Sequence, residues 1–175
     1  MNGYMLAGTI TGLVLGLIIA AVLLRMVKKD KKEKFVYDER QKAVRGVAYK
    51  YAFFTLIGYN AAYGILDMAG FKWAETLTGM MIGVCIAVLV HVSYSIWHEC
   101  YFSINEEPKR VLLLFGIISV VNVIIAVKQG LNGELIENGM LTNDCANLVV
   151  AIMFGVIMIV LAAKWASKKN ETEED

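Results

Sequence analysis

Charge in this chain is confined to the gaps between long uncharged runs, and that arrangement leaves few folds open. Met5–Leu24 carries no charge, and Ala48–Phe71 is apolar except for Lys50 and Asp67. Leu77–Trp97 has no acid, lysine or arginine, only His91. Val111–Val127 lies uncharged between Arg110 and Lys128, and Ala146–Ala163 runs uncharged into Lys164 and Trp165. A helix of about 20 apolar residues crosses a ~30 Å hydrocarbon core, and lone lipid-exposed runs of this length can satisfy their backbone only as helices. The fourth run is short, but Arg110 and Lys128 can snorkel to lengthen it. With 58% apolar residues in 175, the chain has too little interior to hide its apolar surface from water. A soluble enzyme domain, a disordered tail and a disulfide scaffold are excluded. The expected fold is an all-α membrane bundle forming a single domain, with five spans at about 5–24, 48–71, 77–97, 110–128 and 145–165. A basic, amphipathic cytoplasmic segment, 25–47, leads into the second span.

Orientation follows from the 17 lysines and arginines. Ten fall in Arg25–Lys50, two at Lys109 and Arg110, and three at Lys164, Lys168 and Lys169, all on one side of a five-span chain. Lys72 and Lys128 are left for the other. The positive-inside rule then puts the N-terminus outside and the C-terminus in the cytoplasm. The charges follow the first run rather than precede it, so it reads as a retained anchor. On this topology Cys85 is at membrane depth, Cys100 cytoplasmic and Cys145 external, so no intrachain disulfide is expected.

Lys28, Lys29, Lys31, Lys32 and Lys34 follow the first run directly. Such a cluster reads as a topology signal and as a contact for anionic lipid head groups. Asp38 with Gln41 three residues later has the form of a capping box, and Asp38 and Glu39 suit the positive end of a helix dipole. Val44, Val47, Ala48 and Tyr51 repeat at helical spacing. A helix is therefore expected from about Asp38, lying on the inner surface before entering the bilayer, with Gly46 as its bend and Asp38 paired to Lys42. Asp38, Glu39, Arg40 and Gln41 are the candidate docking residues for a cytosolic partner.

Asp38-Glu39-Arg40-Gln41-Lys42, the stretch Tyr49–Leu56, and Trp97–Glu106 together resemble a family of small bacterial multi-span membrane proteins. These are known mostly from Firmicutes and carry a DERQ segment ahead of a transmembrane helix. The likeness covers roughly residues 37–110. It implies a multi-pass protein of a bacterial plasma membrane and carries over no catalytic residues, because the family has no assigned activity. Its members' proximity to helix-turn-helix regulators implies a regulatory pairing.

Polar side chains at membrane depth are the remaining pointers to function. Tyr59, Tyr63 and Asp67 form a stripe on the second run with Asn60 beside them, and His91, Ser95 and His98 form one on the third. Asn122 lies mid-way along the fourth. Asn60, Tyr63, Asp67, His91, Ser95 and Asn122 are the candidates for a polar cavity, although an interior asparagine or histidine more often serves as a contact between helices. His98-Glu99-Cys100 offers three ligand types, but adjacent helical residues face apart, so no metal is expected. Gly8, Gly12 and Gly16 recur every fourth residue, as do Gly79 and Gly83. Such stripes let helices approach closely, either against one another or across a homodimer of the first span.

The sum is a non-enzymatic regulatory or accessory membrane protein acting through its cytoplasmic segment, without cofactor or nucleic acid. Anionic lipids, a cytosolic regulatory protein and a second copy of the chain are its expected partners. The alternative is a small oligomeric transporter or channel with a polar cavity near Asn60, His91 and Asn122.

Overall fold

A computed structural model describes residues 36–104 and 108–173, together with Val14, Ile18 and Ala21. The chain divides at Val36 into two units. The first holds those three helical positions. Its glycines Gly8, Gly12 and Gly16 and its lysines Lys28, Lys29, Lys31, Lys32 and Lys34 lie outside the described residues.

The second unit contains four helices: α1 (Glu39–Met68), α2 (Thr76–Trp97), α3 (Pro108–Leu131) and α4 (Ala146–Glu173). A short antiparallel hairpin separates the last two, with β1 (Ile136–Glu137) paired to β2 (Met140–Leu141), followed by a 3₁₀ turn at Asn143–Cys145. Both residues of its two-residue loop, Asn138 and Gly139, have positive φ, the geometry that an Asn-Gly pair favours between strands.

Consecutive helices run antiparallel. In space α2 lies between α1 and α4, and α3 packs on α4. The core sits where Val92 and Ile96 of α2 meet Ile157 and Leu161 of α4, with Leu112 and Phe115 of α3 against it.

Among the described residues, three stretches are long and apolar enough to cross a membrane: Thr76–Trp97, Val111–Leu131 and Asn143–Ser167. The expected second span is not among them. Its helix is present, but Tyr59, Asn60, Tyr63 and Asp67 dilute its apolar character. The first expected span lies outside the described residues apart from Val14, Ile18 and Ala21. Five spans therefore go beyond what these helices establish.

The expected surface helix is no separate element either. α1 is a single helix from Glu39 to Met68, with no break between its charged turns and its apolar ones. At ~1.5 Å per residue its 30 residues extend about 45 Å, longer than a hydrocarbon core. Its outward face carries Phe53, Phe54, Ile57 and Ile65, all exposed.

The Gly79 and Gly83 face of α2 receives tyrosines. A Cβ at Gly79 would collide with the Tyr63 ring, and one at Gly83 would meet Tyr59 Cε1 at 2.9 Å and Asn60 Nδ2 at 3.0 Å. This face is therefore filled by α1 and is not free to pair with another glycine stripe.

Candidate functional site

The geometry gathers at the two ends of the bundle. One end holds the start of α1 and the turn after α2. Asp38 caps α1: its carboxylate accepts from the Gln41 amide at 2.6 Å, and Gln41 Oε1 accepts from the Asp38 amide at 3.2 Å. This is the reciprocal capping box that the Asp-x-x-Gln spacing predicts. Because the Asp38 carboxylate is engaged there, Lys42 pairs with Glu39 instead, at 3.1 Å. Both partners are largely exposed, and such a pair contributes little.

Gln41 is buried and serves a second purpose. Its Nε2 donates to the Glu99 carbonyl at 3.0 Å and to the Phe102 carbonyl at 3.5 Å. Arg40 donates to the His98 carbonyl at 3.3 Å, and Arg45 to the Cys100 and Tyr101 carbonyls at 3.4 Å each. The start of α1, from Arg40 to Arg45, and residues 98–102, far apart in sequence, thus meet. The Arg45 guanidinium also lies over the Tyr37 ring, 4.2 Å from its centroid. Burial works against its charge, but the hydrogen bond with Tyr49 and the nearness of the Tyr37 and Tyr49 phenols outweigh that and hold its pKa above the ordinary value. Arg45 is therefore a permanent cation in this contact.

Those carbonyls are accessible because of how α2 ends. The Cys100 amide bonds back to the Ser95 carbonyl at 2.9 Å and the Glu99 amide to Ile96 at 3.1 Å, with Glu99 at φ 57°. This is the Schellman closure, whose left-handed position usually falls to glycine. α1 closes the same way through Gly70 at φ 83° and α3 through Gly133 at φ 73°. In α2 a glutamate occupies that place, and its carboxylate reaches Lys164 of α4 at 3.5 Å. The turn thereby joins α1, α2 and α4. Beside it opens a cavity of about 190 Å³, floored by Ile96 and Leu161 and walled by Tyr101, Phe102 and Trp165.

The opposite end is tied by backbone. The Leu141 amide donates to the Trp73 carbonyl at 3.0 Å, and the Glu75 amide donates to Leu141 at 2.8 Å. Thr78, buried, donates to the Thr142 carbonyl at 2.8 Å, and the Glu75 carboxylate accepts from the Asn143 amide at 2.7 Å. Tyr63 donates to the Ala74 carbonyl at 3.2 Å. A second cavity, about 400 Å³, lies here against Asp67, Lys72, Glu75 and Asn143.

The remaining polar candidates are not brought together. Asn60 donates to Leu56 at 2.9 Å and Asn122 to Ile118 at 2.8 Å, each within its own helix. They stand on α1 and α3, which flank the α2–α4 pair on opposite sides. His91 stacks on Tyr49 with ring centroids 4.2 Å apart. Tyr49 is about 16 Å along α1 from Asn60 at ~1.5 Å per residue. His91 Nδ1, Ser95 Oγ and Tyr59 Oη are buried without a hydrogen-bond partner among the described residues. Neither cavity is lined by Asn60, His91 or Asn122. Cys85, Cys100 and Cys145 are all buried free thiols.

Sequence reasoning missed the roles of Glu99, Lys164 and Arg45. Asn138-Gly139 was the available signal for the hairpin. Compared with family models, curated proteins and solved structures, the chain matches none.

Proposed function

We propose that this protein is a non-enzymatic, regulatory or accessory protein of a bacterial plasma membrane, working through the contact between the start of α1 and the turn after α2. The observation behind this reading is the set of side-chain bonds from Arg40, Gln41 and Arg45 to the carbonyls of residues 98–102. A partner engaging the charged turns of α1 competes with those bonds and so acts on α2 and, through Glu99 and Lys164, on α4. The two segments that meet are also two of the three stretches carrying the likeness to the DERQ-containing membrane proteins.

In this reading α1 also spans the membrane. It packs along α2 from Arg45 beside Cys100 to Tyr63 beside Ala74, and Tyr59 and Tyr63 turn toward the glycines of α2 while Phe53 and Phe54 face outward. With Met5–Leu24 as a further span, the chain crosses five times, N-terminus outside and C-terminus cytoplasmic. Lys28–Lys34 then lies at the inner head groups, where anionic lipid is its counterpart. The transporter reading draws less support, because Asn60 and Asn122 spend their amide donors on their own helices.

Two measurements test this. In a background with the native cysteines replaced by serine, Asn132→Cys is expected to react with an impermeant maleimide in intact cells and Ser167→Cys is not. Equal labelling refutes the orientation. A photocrosslinker at Lys42 is expected to capture one cytosolic protein in stoichiometric amount, and Gln41→Leu to reduce that capture. Capture of lipid alone refutes the partner.

A further inference from the structure

We propose that the cavity between the turn after α2 and the end of α4 binds a phospholipid headgroup bearing a primary ammonium, with the phosphate on Lys164 and the ammonium on Glu99. This rests on the reading of that end as lying at head-group depth in the membrane. The cavity of about 190 Å³ has an apolar floor, Ile96 and Leu161, both nearly fully buried. Phe102 and Trp165 continue that surface. Among the described residues its charged groups are Glu99 and Lys164, of opposite sign. A phospholipid has the same layout, with acyl chain and glycerol on one side and a phosphate and an amine on the other.

Lys164 is mostly buried, its side chain 21% exposed, yet it is loosely held. Its Nζ stands 3.5 Å from the Glu99 carboxylate and 5.8 Å from the Trp97 ring centroid. An ammonium has three N–H donors, and neither contact is a short hydrogen bond. A phosphate oxygen can therefore be accepted without breaking a strong bond. Glu99 next to it, half-exposed, opposes a ligand that is only an anion. A zwitterion presents an oppositely charged group to each. A primary ammonium donates N–H to the carboxylate, which a trimethylammonium cannot, and it is the smaller group.

The backbone supplies an independent reason to look for a ligand here. Glu99 stands in the left-handed position that glycine fills in the equivalent closures of α1 and α3. Backbone strain of this kind persists where the surrounding structure or a function demands the residue. A carboxylate held beside Lys164 at the edge of an open cavity is such a demand.

The test uses the full chain in detergent with an equimolar mixture of ethanolamine, choline and glycerol phospholipids of one acyl composition, read by native mass spectrometry. The wild type is expected to retain the ethanolamine lipid about tenfold over the other two, the scale of one charge-assisted hydrogen bond. Lys164→Gln is expected to lose that retention for all three lipids. Glu99→Gln is expected to retain the glycerol lipid as well as the ethanolamine lipid. Soluble glycerophosphoethanolamine is expected not to displace the lipid, since it leaves the apolar floor empty. Equal retention of all three lipids by the wild type overturns the proposal, as does an unchanged preference in both variants. Displacement by the soluble headgroup at equal concentration assigns the site to a soluble ligand and overturns it too. Circular dichroism is expected to show that both variants keep their helices, since the pair is a loose 3.5 Å contact at the edge of the cavity. Membrane orientation is read separately by cysteine labelling, so a misplaced end fails that assay and leaves the lipid preference readable.

Discussion

At the end carrying Met68 and Leu131, strand-like segments bond to one another through Trp73, Glu75 and Leu141, and buried Thr78 completes the closure. At the end carrying Glu39 and Trp97, the corresponding bonds come from long side chains, two of them arginines, reaching the backbone carbonyls of the turn at 3.3–3.4 Å. Backbone pairing orders no rotamer-rich side chain and leaves little for water to compete with. An arginine bond to a carbonyl immobilises a flexible side chain and is readily exchanged for water, lipid or another protein. The first end is therefore a fixed hinge for the two helical hairpins, and the second is a latch. A regulator acting on this molecule gains most at the latch, which is also where the strained Glu99 and the smaller cavity lie.

The largest expected effect breaks the fixed end. Gly79 lies one turn into α2, and a side chain there displaces Tyr63, whose hydroxyl holds the Ala74 carbonyl. Gly79→Leu is expected to cost about 3 kcal/mol through overpacking. It should lower the melting temperature in detergent and expose amides across both hairpins to hydrogen exchange. Unchanged melting would mean that the tyrosine–glycine contact is not what holds α1 on α2.

A smaller and local effect is expected from breaking the latch. Gln41→Leu removes half of the capping box and the bonds to Glu99 and Phe102. The expected cost is about 1–2 kcal/mol, for a lost cap and unpaired carbonyls. Hydrogen exchange should rise at residues 98–102 and at the first turn of α1, and remain as in the wild type at residues 73–75 and 140–143. Equal rises at both ends would show that the ends are coupled and that the latch does not open alone.

Legibility in the sequence followed the range of the physics involved. Apolar runs and their charged borders marked α2, α3 and α4, because membrane spanning is a property of local composition. Asp38 and Gln41 marked the start of α1, because a capping box is complete within four residues. That Gln41 would also hold the Glu99 and Phe102 carbonyls was not legible, since those partners are brought in by the return of α2. The same limit hid the filling of Gly79 and Gly83: spacing showed that something packs closely there, but not that tyrosines of α1 do. Asn60, His91 and Asn122 looked alike in depth, and depth does not say which helices are neighbours. Glu99 was invisible for a different reason. The span's end at Trp97 was legible, but nothing in Trp97-His98-Glu99-Cys100 announces a left-handed closure at Glu99, because the usual glycine is missing.

That missing glycine allows the sharpest comparison of the two ends, with the smallest expected effect. Glu99 and Gly133 occupy the same position of the same closure, one at each end, with φ of 57° and 73°. A residue with a Cβ pays roughly 1 kcal/mol in that conformation, partly offset by the greater chain entropy that glycine loses on folding. Glu99→Gly should therefore leave stability unchanged or raise it by up to about 1 kcal/mol, since the pair with Lys164 that it removes is 3.5 Å long and half-exposed on the Glu99 side. Gly133→Glu places the same residue in the same strain and should cost about 1 kcal/mol. Thermal unfolding of the two variants beside the wild type reads the signs. Opposite signs would mean that Glu99 is kept at the latch against the preference of the backbone, for what its carboxylate does there. A loss of more than about 1 kcal/mol in Glu99→Gly would instead make the contact with Lys164 a structural one, and the strain would then need no ligand to explain it.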